Sequence, residues 1–137
     1  MFNYAKNNKK PVVMFITSGG ARMQEGLYSL MQMQKVTIGI SLLKNASLPY
    51  ITVLSSPTTG GVMATIASQG DIIIAEKGAD VGFTGKRVIR KLSKQKIPVD
   101  FQKAEHVQKK GLIDIISTRK ELKNILSKIL FYTNNVQ

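Results

Sequence analysis

Two glycine pairs, each placed where an apolar run gives way to a helical pattern, are the residues with the clearest chemical potential. Gly19–Gly20 follows the run 11–17, and Gly60–Gly61 follows the run 49–55 through Pro-Thr-Thr. A helix start leaves about four backbone N–H groups without intrahelical partners, and these groups favour negative charge. Glycine also lets a ligand approach the backbone closely. Held side by side by parallel strands, the two turns predict a site for one oxyanion, such as a thioester enolate or a phosphate. For either pair taken alone, an ordinary tight turn is the favoured interpretation.

Side chains that could supply other chemistry are few. The chain has no cysteine and one histidine, which excludes disulfides, thiolate metal sites, a cysteine nucleophile and a multi-histidine metal centre. The fingerprints G-x-G-x-x-G, G-x-x-x-x-G-K-[ST] and G-x-S-x-G are absent. We interpret His106 as a partly exposed surface residue without an obvious local partner, and Ser18 and Ser55 as turn residues.

Cationic side chains near the glycine turns leave two interpretations open. Arg22 follows the first pair and either binds an anion or pairs with Glu25. Lys86 and Arg87 open a basic helix, predicted over 85–95, that either faces phosphates or is solvated.

The elements that must position these residues alternate between strands and helices, which predicts an α/β fold with a largely parallel sheet. The helix over 24–47 carries apolar residues at helical spacing and is expected to be largely buried. The helix over 100–111 is expected to begin at Asp100 and end at Gly111. The predicted strands are 11–17, 49–55, 71–76, 79–83 and 112–117, and the remaining predicted helices are the end of one over 2–9, then 60–70 and 118–133.

Length and composition indicate one domain, 1–137, with a modest core. The chain is 137 residues long and 43% hydrophobic, and it contains neither an apolar run of about 18 residues nor a signal-peptide pattern. We therefore expect a cytoplasmic protein without a membrane association. The net charge of +12 is compatible with solvated lysines or with an anionic partner. Aromatic residues make up only 7%, and no RNA-recognition or helix-turn-helix signature accompanies the charge, so nucleic acid is not the expected partner.

Four stretches together resemble a known family. In order and spacing, "PVVMFITSGGARMQEGLYSLMQM", "SSPTTGGVMATIASQGDIIIAE", "VGFTGKRVI" and "DFQKAEHVQKKGLID" are similar to the β subunits of the carboxyltransferase of multisubunit acetyl-CoA carboxylase, over residues 5 to 130. The resemblance implies a crotonase-like fold of repeated ββα units. It also implies carboxyl transfer from carboxybiotin to acetyl-CoA, giving malonyl-CoA.

The resemblance also assigns roles. Gly60 and Gly61 match the glycines whose N–H groups bind the thioester oxygen as it becomes an enolate. Gly19, Gly20 and Ala21 match the loop on the CoA side, where we also place Arg22, Lys86 and Arg87 as substrate-binding residues. Carboxybiotin on a carrier protein is the implied co-substrate, no cofactor is bound directly, and the implied partners are a carboxyltransferase α subunit and the biotin carboxyl carrier protein in a hetero-oligomer.

Departures from the family pattern keep other interpretations open. Family members usually have an N-terminal four-cysteine zinc ribbon and further crotonase core before the first glycine turn, so we expect this chain to be the C-terminal part of such a domain, without zinc. "GFTGKRVIRKL" and "GGVMATIA" also differ from the usual signatures. A split-gene half, a specialised paralogue and a decaying copy are all compatible with these differences. The alternative functions are a non-catalytic binding or assembly module and, less favoured, a basic nucleic-acid-binding protein.

Overall fold

A parallel sheet organises the chain, whose computed structural model describes residues 1–85, 88–89, 91 and 98–134. Four strands lie in the order β1-β2-β3-β5, and β4 pairs with the far end of β2. All of these pairings are parallel, which confirms the predicted fold class. The strands are β1 Val12–Ser18, β2 Tyr50–Thr59, β3 Ile72–Glu76, β4 Val81–Gly82 and β5 Ile115–Ser117.

Helices cover both faces of this sheet, and this explains why the strands are almost uniformly apolar. They are α1 Phe2–Asn7, α2 Gly26–Asn45, α3 Gly60–Thr65, α4 Ala104–Gln108 and α5 Arg119–Asn134, with short 3-10 turns at Met23–Glu25 and Ala67–Gln69. On one face, Leu54 packs with Met63 of α3 and Val107 of α4. On the other face, Ile51 and Val53 pack with Leu122 of α5. No helix among the described residues is long and apolar enough to cross a membrane.

Strand β2 runs four residues further than the sequence predicted. The prediction ended at Ser55, whereas the strand continues through the Pro-Thr-Thr segment to Thr59. Its extension pairs with β1 through Ser18↔Thr58 and with β4 through Thr59↔Gly82. The buried Thr58 hydroxyl donates to the carbonyl oxygen of Ile16 at 3.0 Å. The Pro-Thr-Thr segment, which the local sequence predicts as a turn, is therefore held in the strand conformation by its pairing with β1 and β4.

Helix α2 is not largely buried, which corrects the prediction for 24–47. Its second half packs inward through Ile40 and Leu43, both fully buried. Its first half presents Leu27, Tyr28 and Met31 to solvent, with between 62% and 82% of each residue exposed. The sequence correctly showed that the helix has an apolar face. Periodicity cannot, however, distinguish an apolar face that packs on the core of the chain from one that is exposed.

Several further boundaries differ from the prediction, among them the end of α4, which lies at Gln108 with Lys109 as its C-cap rather than at Gly111. Helix α4 begins at Ala104 with Lys103 in the N-cap position, so Asp100 is not the N-cap. Asp100 instead lies in a turn, where its carbonyl oxygen accepts the N–H of Lys103 at 2.8 Å. Strand β5 begins at Ile115 rather than residue 112. Of the predicted basic helix over 85–95, Val88, Ile89 and Lys91 are helical, and most of its other residues lie outside the described residues.

Candidate functional site

The two glycine turns lie in direct contact at one edge of the sheet. Because β1 and β2 are parallel neighbours, their carboxyl ends meet there, as predicted. Gly20 has a φ of 98° and Gly60 a φ of 71°, both in the region that favours glycine. A Cβ placed on Gly60 would lie 3.0 Å from the Cα of Gly20. The glycines are thus required first for the close approach of two backbones.

The two N–H groups of the second pair have different surroundings. The N–H of Gly60 donates to the carbonyl oxygen of Phe83 at 2.7 Å. Phe83 directly follows β4, which is held against the end of β2. Among the described residues, none accepts the N–H of Gly61, the second residue of α3. Gly61 therefore carries the donor available to a ligand, and the fixed Gly60 orients it.

A cleft of about 290 Å³ opens between α2 and α3, and it is lined by Val62, the residue that follows Gly61. Its walls include Ser18, Gly20 and Ala21 of the first turn, Met33 of α2 and Val62 of α3. The side chain of Met33 lies so close that a Cβ on Gly61 would meet its Sδ and Cε at 2.7 Å. Gly20 of the first pair thus forms part of the wall of the cleft, and the flexible thioether of Met33 packs on one side of Gly61.

The first turn is held by its own side chains and is otherwise open. The N–H of Gly20 donates to the Ser18 hydroxyl at 3.1 Å. The carboxylate of Glu25 accepts the backbone N–H of Arg22 at 2.8 Å, so Glu25 fixes the loop through the main chain. A Cβ on Gly19 would meet nothing within 4 Å. The exposed guanidinium of Arg22 leaves its predicted role in anion binding untested.

Two buried polar side chains of β2 support α3 and the 3-10 turn that follows it. The Tyr50 hydroxyl donates to the carbonyl oxygen of Ile66 at 3.2 Å, and the Thr52 hydroxyl donates to that of Ala67 at 3.0 Å. Burial raises the pKa of Tyr50 to about 12, so this donor keeps its proton at physiological pH. Sequence reasoning missed both residues, although polar groups inside an apolar run were an available signal.

His106 lies away from the glycine turns. It lines a separate cavity of about 540 Å³ together with Phe83, Phe101 and Gln102. Its Nδ1 is 3.4 Å from the carboxylate of Asp100, a local partner that the sequence did not reveal. The side chain is 31% exposed, which confirms the expected partial exposure.

Two predicted cationic residues and the possibility of a metal site remain to be located in the structure. Lys86 and Arg87 lie outside the described residues. Within the described part of the chain, no three His, Cys, Asp or Glu residues are grouped as a metal site would require.

Comparison with known proteins gives one consistent family. The family model described as "Carboxyl transferase domain" matches residues 2–135. The acetyl-coenzyme A carboxylase carboxyl transferase subunit beta of Desulforamulus reducens is 56% identical over 126 residues, which are 92% of this chain and 44% of the relative. The chain thus spans less than half the length of that relative.

Solved structures agree with this assignment and with the predicted crotonase-like fold. A transcarboxylase 12S structure with methylmalonyl-coenzyme A and methylmalonic acid bound has a TM-score of 0.77 and 29% identity, covering 94% of this chain and 25% of that one. An enoyl-CoA hydratase/carnithine racemase from Magnetospirillum magneticum has a TM-score of 0.63 and 14% identity, over 97% of this chain and 61% of that one, which is a likeness of fold alone.

Proposed function

The chain belongs to the carboxyl transferase domain family, and on that premise we propose that it is the β-type component of an acetyl-CoA carboxylase carboxyltransferase. The proposed reaction moves a carboxyl group from carboxybiotin to acetyl-CoA and gives malonyl-CoA. A proton leaves the acetyl methyl group, a C–C bond forms to the carboxyl carbon, and the bond from that carbon to the biotin nitrogen breaks. The proton ends on that nitrogen. The alternative of a non-catalytic assembly module has no observation of its own in its favour.

The observation that carries the proposal is the N–H of Gly61, which has no acceptor among the described residues and directly precedes Val62 in the wall of the cleft. The thioester oxygen gains negative charge when the methyl proton leaves, and a fixed donor that meets this charge lowers the barrier. Gly60 cannot donate there while its N–H is bound to Phe83. We therefore assign the donor to Gly61 and the fixed geometry of the turn to Gly60. Binding, orientation and this dipole are the contributions that the described residues can make.

The first turn is proposed to line the CoA side of the same cleft. Gly19 leaves open space, and Gly20 and Ala21 form part of the wall. The exposed cation of Arg22 stands beside them and suits the phosphates of CoA. Lys86 and Arg87 stay candidates for the same task on sequence grounds.

A second subunit is part of the proposal. The exposed apolar residues of α2 begin at Leu27, shortly after the first turn, and an apolar patch of this kind is typical of a surface that contacts another protein. A carboxyltransferase α subunit and a biotin carboxyl carrier protein are the proposed partners in a hetero-oligomer. We propose a cytoplasmic location, no zinc in this chain, and no cofactor bound directly by it.

Reconstitution tests this function. The purified chain is mixed with a carboxyltransferase α subunit, carboxylated biotin carrier and acetyl-CoA, and malonyl-CoA is measured. We expect malonyl-CoA only when both subunits are present. A complete β subunit combined with the same α subunit serves as the positive control. If the control turns over and the chain binds the α subunit without any turnover, the catalytic proposal is wrong and the assembly module takes its place.

A further inference from the structure

Gln102 holds the segment around Phe83 by two separate contacts. Its backbone oxygen accepts the N–H of Val81 at 2.8 Å. Its side-chain Nε2 donates to the carbonyl oxygen of Thr84. The two contacts fall on either side of Phe83, so one residue fixes the stretch from Val81 to Thr84 at both ends.

That stretch is the one that positions the second glycine turn. The carbonyl oxygen of Phe83 accepts the N–H of Gly60 at 2.7 Å, and Gly61 carries the available donor next to it. The path from the Gln102 side chain to the Gly61 N–H therefore consists of Thr84, Phe83 and Gly60 in direct sequence or hydrogen-bond contact. A shift of Phe83 would be passed to Gly60 because its N–H has that one acceptor.

The conformation of Gln102 is unusual for a purely structural residue. Its φ is 65°, a region that side chains other than glycine, asparagine and aspartate rarely adopt, and the residue is only 7% exposed. Its Oε1 is buried without a hydrogen-bond partner among the described residues. The chain thus keeps the amide donor on Thr84 despite an unfavourable backbone and an unsatisfied oxygen.

Gly82 provides independent support. A Cβ on Gly82 would lie 2.7 Å from Cδ and 2.9 Å from Cγ of Gln102. The glycine at this position leaves the room that the Gln102 side chain needs to cross β4 and reach Thr84.

We propose that Gln102 is a positioning residue for catalysis: by clamping the 81–84 segment it holds Phe83, and through Phe83 and Gly60 it aims the Gly61 N–H at the thioester oxygen. The expected effect on kcat rests on the proposed function. The expected effect on the position of Gly60 rests on the hydrogen bonds alone.

The kinetic test replaces Gln102 by a residue of similar shape that cannot donate. In the reconstituted complex, Gln102→Met is expected to lower kcat about tenfold, less than the 10²–10³-fold that outright loss of an oxyanion donor produces. KM for acetyl-CoA should change little, because the CoA side of the cleft is formed by the first turn. The matched control is Gln108→Met, since Gln108 Nε2 also donates to a backbone carbonyl, that of Asp114 at 3.1 Å. We expect wild-type kinetics for this control.

The structural test leaves Gln102 itself unchanged and serves equally if Gln102→Met does not fold. Gly82→Ala displaces the glutamine side chain, whereas Gly85→Ala adds a Cβ that meets nothing within 4 Å. Amide hydrogen exchange is followed at Gly60 and, as a remote reference, at Asp71, whose N–H donates to the backbone carbonyl oxygen of Tyr50 at 2.7 Å. We expect Gly82→Ala to speed exchange at Gly60 and to lower kcat, and Gly85→Ala to do neither.

The two readouts separate the two proposals. Faster exchange at Gly60 in a chain that never turns over would overturn the catalytic function and keep the clamp. Unchanged exchange at Gly60 together with wild-type kcat in both Gln102→Met and Gly82→Ala would overturn the clamp and leave the function intact. An equal rise of exchange at Gly60 and Asp71 would mean general loosening and would also overturn it.

Discussion

The Gly19–Gly20 turn and the Gly60–Gly61 turn share a sequence pattern and touch through their backbones, yet their surroundings differ. The second turn is enclosed: Phe83 accepts the N–H of Gly60, and Met33 packs on Gly61. The first is open, with empty space at Gly19 and an exposed helix start behind it. A donor must be fixed to act on developing charge, whereas the wall of a binding cleft needs only the right shape. This difference supports the proposed division, with catalysis at the second turn and binding at the first.

A valine in each turn tests this division most strongly. Gly61→Val adds a branched side chain beside the donor, where the first Cβ already meets Met33 at 2.7 Å. We expect kcat to fall about 10²–10³-fold, equivalent to about 2.7–4 kcal/mol of transition-state stabilisation. Ala21→Val in the exposed first turn should chiefly raise KM for acetyl-CoA. Steady-state kinetics of the reconstituted complex distinguish the two outcomes, and wild-type turnover by folded Gly61→Val would remove the donor assignment.

An alanine substitution in each turn tests whether the backbone of that turn requires glycine. Gly60 combines a φ of 71° with a neighbouring backbone 3.0 Å from where a Cβ would lie. We expect Gly60→Ala to lower the free energy of unfolding by about 1–3 kcal/mol, the usual effect of forcing a side chain into a left-handed conformation. Gly19→Ala should stay within about 0.5 kcal/mol of wild type, as surface substitutions usually do. Urea denaturation of both variants provides the measurement, and equal losses would show that the turns are structurally equivalent.

Sequence reasoning could identify the turns but not the difference between them. The strand–Gly-Gly–helix pattern and the family resemblance located both pairs, and parallel strands correctly predicted that they meet. The bond from Gly60 to Phe83 joins residues 23 positions apart through the pairing of β4 with β2, and no local pattern reports such a contact. The same holds for the contacts of Gln102, whose positive φ no local pattern predicts.

The fold was predictable to a similar degree. Strands β1 and β3 and helices α2 and α5 followed from apolar runs and periodicity. The extension of β2 did not, because its strand conformation depends on β1 and β4 rather than on its own residues. The predicted burial of α2 was wrong for the same kind of reason: the helix has an apolar face, but the described residues of this chain do not cover it.

The helices that follow the two turns also differ in burial, and one methionine in each helix tests this difference. Met63 of α3 is 6% exposed in the core, and Met31 of α2 is 62% exposed. We expect Met63→Ala to destabilise the chain by about 2 kcal/mol, the low end for a buried methionine, because six-residue α3 can relax into the space. Met31→Ala should change stability by less than about 0.5 kcal/mol. Thermal or urea unfolding of the isolated chain tests this, and a large loss for Met31→Ala would mean that α2 is covered within the chain.

The smallest effect is expected from the ion pair between Glu76 at the end of β3 and Arg119 of α5. Hydrogen bonds from the Arg119 guanidinium, at 2.6 and 3.0 Å, lower the pKa of the Glu76 carboxyl, and a weaker contribution comes from Ser55 of β2. A carboxyl whose pKa is lowered by folding adds stability above its unfolded pKa of about 4.3 and loses it as pH falls through the folded value.

Arg119→Ala should therefore unfold slightly more easily than wild type at pH 7, and the difference should vanish in acid. Because Arg119 is 82% exposed, solvent and salt screen the pair and keep the effect small. Unfolding curves from pH 7 to pH 3 measure it, and a difference that grows in acid would contradict the assignment. Kinetics of the same variant sharpen the comparison of the turns: since Phe83, not Glu76, holds Gly60, kcat should stay unchanged.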